Sequence, residues 1–214
     1  MSTLTMASRV TGLLRAWAMA VALGTTVMGS AYAVVNNIPN MVFEFVAGGI
    51  ISSLFIPTFM ELREQRSEEE AWRFTSHVFN LTVGSLAVVG VLGTFFPAPF
   101  VWTQTFRLPA EQVPQIVPVA TFLFQFFAIQ VVLYGAGAII SAVLNSHREY
   151  FWPAVGPIFN NLVAIGAMVA FIMLHGKLSG PEMTTGLAPV VLAAGTTFAV
   201  FVMFAVQVPA VLRT

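Results

Sequence analysis

The sequence has no cysteine and no aspartate. Without cysteine there is no disulfide, no thiol chemistry and no cysteine-ligated metal. Charge of either sign is scarce: nine Lys and Arg face nine acids, all of them glutamate, and charged residues make up 8% of the chain. A soluble domain carries about 25%. The formal net charge is zero, which gives no bulk attraction to nucleic acid, so no nucleic-acid partner is expected. Signatures of chemistry are missing as well. There is no G-x-x-x-x-G-K-[ST] phosphate loop, no H-E-x-x-H pair, no G-x-S-x-G elbow and no hydrolase-type carboxylate pair. His77, His147 and His175 fall in separate segments. These absences point away from catalytic residues, a metal or a cofactor, and any ATP-driven step would need another chain.

What is present is apolar. Of 214 residues, 57% are hydrophobic, and the mean hydropathy is +0.86. Such a chain cannot cover a soluble surface of its size, so the expected fold class is all-α: a polytopic bundle of transmembrane helices. Apolar segments long enough for a span of roughly 20 residues run over 4–28, 31–60, 74–101, 114–145, 151–174 and 185–211. They define one membrane lobe over 1–214. The connectors read as loops: the charged "ELREQRSEEEAWR" (61–73), "RLPAEQVP" (107–114), the tight "SHREY" (146–150) and the Gly/Pro-rich "HGKLSGPEM" (175–183). The phenylalanines, 20 of them, read as lipid-facing and packing surface.

Lys and Arg set the orientation. With the N-terminus in the cytoplasm, the inner side holds Arg63, Arg66, Arg73, Arg148 and Arg213, with Arg9 and Arg15 in the inner half of the first span. Only Arg107 and Lys177 fall outside. Both ends are therefore expected on the cytoplasmic face. A rival reading treats "RAWAMAVALGTTVMGSAYA" as a secretory signal with an A-x-A end at Ala31, Tyr32 and Ala33.

Three polar features interrupt the apolar spans. In "SRVTGLLRAW" (8–17), Arg9 and Arg15 flank Gly12 and sit about 120° apart on a helix. Either they snorkel to the inner headgroups, or they face a water-filled cavity and take phosphate oxygens. In the second span, Asn37, Asn40, Glu44 and Gly48 follow spacings that share one helical face, and Pro39 is expected to kink the helix just before Asn40. The asparagines read as glue between helices or as cavity lining. Glu44 is the only acid deep in a span, and a buried carboxylate needs a partner, water or a proton. Third, Asn145 closes the fourth span, and Pro153 and Pro157 open the fifth, where proline is tolerated. A structural role is favoured there over a gate hinge.

These residues together resemble a known family. "SRVTGLLR" is similar to an S-R-x-x-G-x-x-R pattern of a first span, and "IPNMVFEFVAGGIISSLFIPTF" resembles the second span of the same family. "GAIISAVLNSHREYFWPAVGPIFNN" resembles its G-A-I-L-N and P-A-x-x-P-x-x-x-N signature, and "VQVPAVLR" its Q-x-P close. The family is the MurJ/MviN lipid II flippases of the MOP exporter superfamily, and the likeness covers essentially the whole chain. The resemblance implies half of a two-lobe transporter, about six spans, that moves lipid-linked peptidoglycan precursor from the inner to the outer leaflet of the bacterial inner membrane by alternating access. It places the diphosphate on Ser8, Arg9 and Arg15; the cavity-lining or coupling roles of Asn37, Asn40 and Glu44 rest on their own position in the second span. Gly12, Pro39, Asn145, Pro153 and Pro157 take hinge or structural roles. The implied partners are the precursor, membrane lipids and a C-terminal lobe of the same protein.

The second span departs from the family. Ser30 stands where relatives often carry an acid, Phe43 and Glu44 where others carry arginines, and Gly48 in place of a glutamate. Glu44 then pairs with Arg9 or Arg15 as a local variant, or couples an ion. Two other functions stay open: export of a different polyprenyl-diphosphate-linked saccharide, and a truncated membrane scaffold that does not transport.

Overall fold

The computed structural model describes residues 2–49, 51–175 and 186–213. Lys177 and the connector that runs on to 183 lie outside the described residues. Every described element is helical. Helix α1 spans Ser2–Ala22, α2 Val27–Val35 and α3 Ile38–Phe43, after which two π-helical turns, Glu44–Gly48 and Ile51–Phe55, lead into α4, Ile56–Gln65. Then come α5 (Glu68–Phe95), α6 (Pro97–Thr105), α7 (Val113–Phe127), α8 (Gln130–Ser146), α9 (Phe151–His175), α10 (Leu187–Ala205) and α11 (Val208–Val211).

Local chemistry sets the breaks. Thr26 Oγ1 accepts the Gly29 N–H at 3.2 Å and starts α2. Pro39 occupies the first turn of α3, where its missing N–H costs little. The chain therefore turns at Asn36 and Asn37, ahead of the proline, instead of kinking beside Asn40. The charged stretch 61–73 is helical almost throughout, because Ser67 Oγ accepts the Glu70 N–H at 3.2 Å and Glu68, Glu69 and Glu70 sit in the first turn of α5, at the positive end of the helix dipole. Helix α8 ends in two return bonds, Arg148 N–H to Asn145 O at 3.0 Å and Glu149 N–H to Leu144 O at 2.9 Å. This closure holds Arg148 at φ 61°, a position usually filled by glycine.

Four helical paths are long and apolar enough to cross a membrane: Val27–Gln65, Glu68–Phe95, Phe151–Leu174 and Leu187–Val211. Helices α7 and α8, bent by 42° at their junction, make a fifth if they act as one span. Helix α1 has 21 residues, roughly 30 Å at the α-helical rise, but carries Arg9 and Arg15 and is less apolar. It lies on α9, which lies on α10, while α2 packs on α7 and α5 on α8.

Two apolar cores hold the bundle. One gathers Leu23, Met28 and Tyr32 against Leu123, Phe127, Met168 and Leu192. The other joins Phe43, Phe55 and Phe59 to Leu86, Ile139 and Val143. Outside them the surface is itself apolar: Phe45 is 94% exposed and Trp17 68%. A surface of that kind suits lipid, not water.

Candidate functional site

Arg15 is half-buried on α1, and its guanidinium lies between two side-chain amides. Nη2 donates to Asn36 Oδ1 at 3.4 Å. Asn36 is the residue that caps the end of α2, so the break ahead of Pro39 is what presents its side chain. From α9, the Asn160 carboxamide satisfies both its neighbours in one orientation: its oxygen accepts from Arg15 Nη1 at 3.2 Å, and its nitrogen donates to Ala199 O of α10 at 3.3 Å. Next along α9, the buried Asn161 donates to Thr11 Oγ1 at 3.1 Å and to Ser8 O at 3.5 Å. Three helices, α2, α9 and α10, thus meet around the first span through side-chain amides and the Ala199 carbonyl.

The other sequence-selected residues fall in different places. Arg9 is exposed and forms no ion pair among the described residues. Ser8 enters the cluster through its carbonyl, which also accepts from Thr11 Oγ1 at 3.0 Å. A Cβ on Gly12 would stand 3.7 Å from Asn161 Nδ2, an ordinary contact. Asn37 and Asn40 are exposed, and Asn37 makes no side-chain cap bond to α3. Glu44 is also exposed. Its carboxylate folds back over Gly48, into the space a side chain there would need. Among the described residues Glu44 makes no ion pair with Arg9 or Arg15, so the local pairing considered from the sequence is not formed. Asn145 is exposed and serves the end of α8 through its carbonyl. Pro153 lies in the first turn of α9 and Pro157 inside that helix. Between them, Gly156 lets α9 approach α10 closely, since a Cβ there would come within 2.6 Å of Met203 O.

Asn36 and Asn160 were not singled out by the sequence. Their signal was present: each is a carboxamide within an otherwise apolar stretch. Their common partner lies far away in the chain.

A second polar cluster joins the helix ends. Glu68 takes Arg63 Nε at 3.4 Å and His147 Nε2 at 3.0 Å. Arg63 also donates to Ser146 O at 3.4 Å. The other arginines of the charged connector are paired as well, Arg66 with Glu70 at 3.4 Å and Arg73 with Glu69 at 3.3 Å. Arg15 differs from these three: its partners are neutral.

A multi-span α-helical membrane protein with a cationic, amide-walled position between its first helix and the rest of the bundle is the class these features define. The family described as Lipid II flippase MurJ matches residues 19–214, and the chain belongs to that family. A probable lipid II flippase MurJ of Rhizobium meliloti (strain 1021) is 29% identical over 210 residues, which is 95% of this chain and 37% of the relative. A lipid II flippase MurJ of Burkholderia cenocepacia is 28% identical over 81% of this chain and 33% of its own length. The chain thus spans about a third of these relatives. A solved structure of lipid II flippase MurJ in an inward closed conformation has the same fold, with a TM-score of 0.76 over 99% of this chain and 41% of that one, at 22% identity.

Proposed function

We propose that this chain is the N-terminal lobe of a lipid II flippase, and that Arg15, with Arg9 toward the membrane edge, receives the diphosphate of a lipid-linked peptidoglycan precursor. The observation that carries the site is the pairing pattern of the arginines. Arg63, Arg66 and Arg73 each have a carboxylate within 3.4 Å. Arg15, the arginine held between helices, has amide oxygens instead. An arginine at mid-span costs about 2.5–3.5 kcal/mol on insertion scales, and an amide returns none of that as charge. A guanidinium left with its charge is matched to an incoming phosphate oxygen.

The rest of the transporter follows from the family. A second lobe completes the cavity, and the two lobes alternate in access to the two membrane faces. The work is transport, not catalysis, in the bacterial inner membrane. The orientation gains support from the polar cluster at the helix ends. The bonds from Glu68 to His147 and from Arg63 to Ser146 place the α4–α5 turn beside the α8–α9 turn. Both turns carry arginine, so one face of the lobe collects the positive charge expected on the cytoplasmic side, with the N-terminus on that side. Glu44 is the candidate coupling residue. Potential-dependent flipping that persists in Glu44→Gln would remove it from that role.

The functional test is complementation. A strain depleted of its own lipid II flippase is given the reading frame that contains this chain. Restored growth supports the proposal, as does its loss in Arg15→Ala and its weakening in Arg9→Ala. Absence of rescue by the inserted wild-type protein contradicts it.

A further inference from the structure

We infer that Asn36 and Asn160 form a neutral clamp: they fix the direction of the Arg15 guanidinium while leaving its charge free, and this makes them positioning residues for a diphosphate ligand. The inference rests on the reading of Arg15 as the diphosphate contact.

The geometry has three parts. First, the two contacts come from opposite walls, α2 through Asn36 at 3.4 Å and α9 through Asn160 at 3.2 Å, and each takes a different terminal nitrogen of Arg15. Two anchor points on a planar fork fix its plane. Second, a guanidinium has five N–H donors. The clamp uses one on each terminal nitrogen, which leaves Nε–H and one donor on each terminal nitrogen for an anion. Third, the Asn160 amide is itself held, because its nitrogen donates to Ala199 O at 3.3 Å. The orientation of its oxygen is therefore set by α10 before any ligand arrives. Preorganised donors of this kind bind an anion without first rearranging.

Neutrality is the specific claim. An aspartate has nearly the shape of asparagine and accepts the same guanidinium bonds, with greater strength. If the asparagines served only to join helices, Asp at 36 would do as well, while Asp at 160 would also lose the N–H donated to Ala199 O. If they keep the Arg15 charge available, Asp would occupy it and compete with phosphate. A lysine at 15 offers no planar fork and cannot be held in the same way.

The test reads ligand binding and folding together. The protein in lipid nanodiscs is titrated with farnesyl diphosphate, as wild type and as Arg15→Ala, Asn36→Asp, Asn160→Asp and Asn160→Ala, with the thermal midpoint of each recorded. The clamp predicts at least a tenfold weaker Kd for Arg15→Ala and for both Asp variants, at an unchanged or raised thermal midpoint for Asn36→Asp and a lowered one for Asn160→Asp, which gives up the bond to Ala199 O, and a smaller loss of affinity for Asn160→Ala. If Asn160→Asp does not fold, Asn36→Asp carries the same charge test without disturbing the Ala199 bond. If Arg15→Ala loses binding while the Asp variants bind as wild type, the asparagines are helix glue and the clamp is overturned. If Arg15→Ala itself binds as wild type, the diphosphate reading of Arg15 falls, and the clamp with it.

Discussion

His147 Nε2 lies 3.0 Å from Glu68 Oε1, and this contact ties the end of α8 to the start of α5. The other ring nitrogen faces Val143 O at 3.0 Å. The ring lies between Phe59, at 5.7 Å, and Trp72, at 6.3 Å between centroids. The side chain is 7% exposed. Both nitrogens are thus in use, and the ring packs against two aromatic neighbours. His147→Ala is expected to cost about 1–3 kcal/mol, as other buried-network losses do, and to lower the thermal midpoint in detergent. Glu68→Gln is expected to cost less than about 1 kcal/mol, because Glu68 is half in solvent and exposed ion pairs contribute little. Equal midpoints for His147→Ala and wild type would contradict the packing role.

Tyr32 and Thr196 give an asymmetric prediction. Tyr32 is fully buried, stands edge-on to Phe127 at 5.7 Å, and shares a 3.2 Å bond with Thr196 Oγ1. Thr196 already donates its one proton to Leu192 O at 2.8 Å, so the tyrosine hydroxyl is the donor between them. Tyr32→Phe removes that donor and leaves only a spare acceptor, at a cost of about 1 kcal/mol. Thr196→Val strands a buried hydroxyl and is expected to cost more, about 1–3 kcal/mol. Thermal unfolding of the two variants checks the order, and a reversed order would overturn the donor assignment.

Gly156 and Gly166 lie on the same helix with different surroundings. A Cβ at 156 would stand 2.6 Å from Met203 O and 3.2 Å from Gln207 Nε2, whereas one at 166 meets nothing within 4 Å. Gly156→Ala must push α9 from α10 and is expected to destabilise by about 1–3 kcal/mol. Gly166→Ala is expected to be neutral or to stabilise by up to about 1 kcal/mol through helix propensity. Matching midpoints for the two variants would show that the helices have room to separate.

The helical membrane class was legible because composition alone decides it: so few charges cannot cover a soluble surface. Two breaks carried a signal in residue type that the expected spans and loops passed over: the span expected over 74–101 is interrupted at Pro97, and Ser67 caps α5 inside the stretch expected to be a loop. The bend between α7 and α8 carried no such signal. It falls near Ala128 and Ile129, neither of which breaks a helix, so tertiary packing sets it. The π-helical turns at Glu44–Gly48 and Ile51–Phe55 also leave no mark in residue type, and the break falls at Asn36 and Asn37 because Pro39 sits in the first turn of α3. In the site, Arg15 stood out as a charge in an apolar run. Its clamp did not, because a contact between distant residues has no local period. The family pattern reaches Asn161, and its neighbour Asn160 is the one that meets Arg15.

The central claim is that Arg15 is the diphosphate contact of a lipid II flippase. Its most direct test is translocation of labelled lipid II in vesicles that contain the protein, comparing wild type with Arg15→Ala and Arg15→Lys at matched insertion. At least a tenfold loss of translocation rate is expected in Arg15→Ala, about 1.4 kcal/mol or more of lost interaction, with little recovery in Arg15→Lys because an ammonium lacks the guanidinium fork. Wild-type translocation by correctly inserted Arg15→Ala would contradict the account.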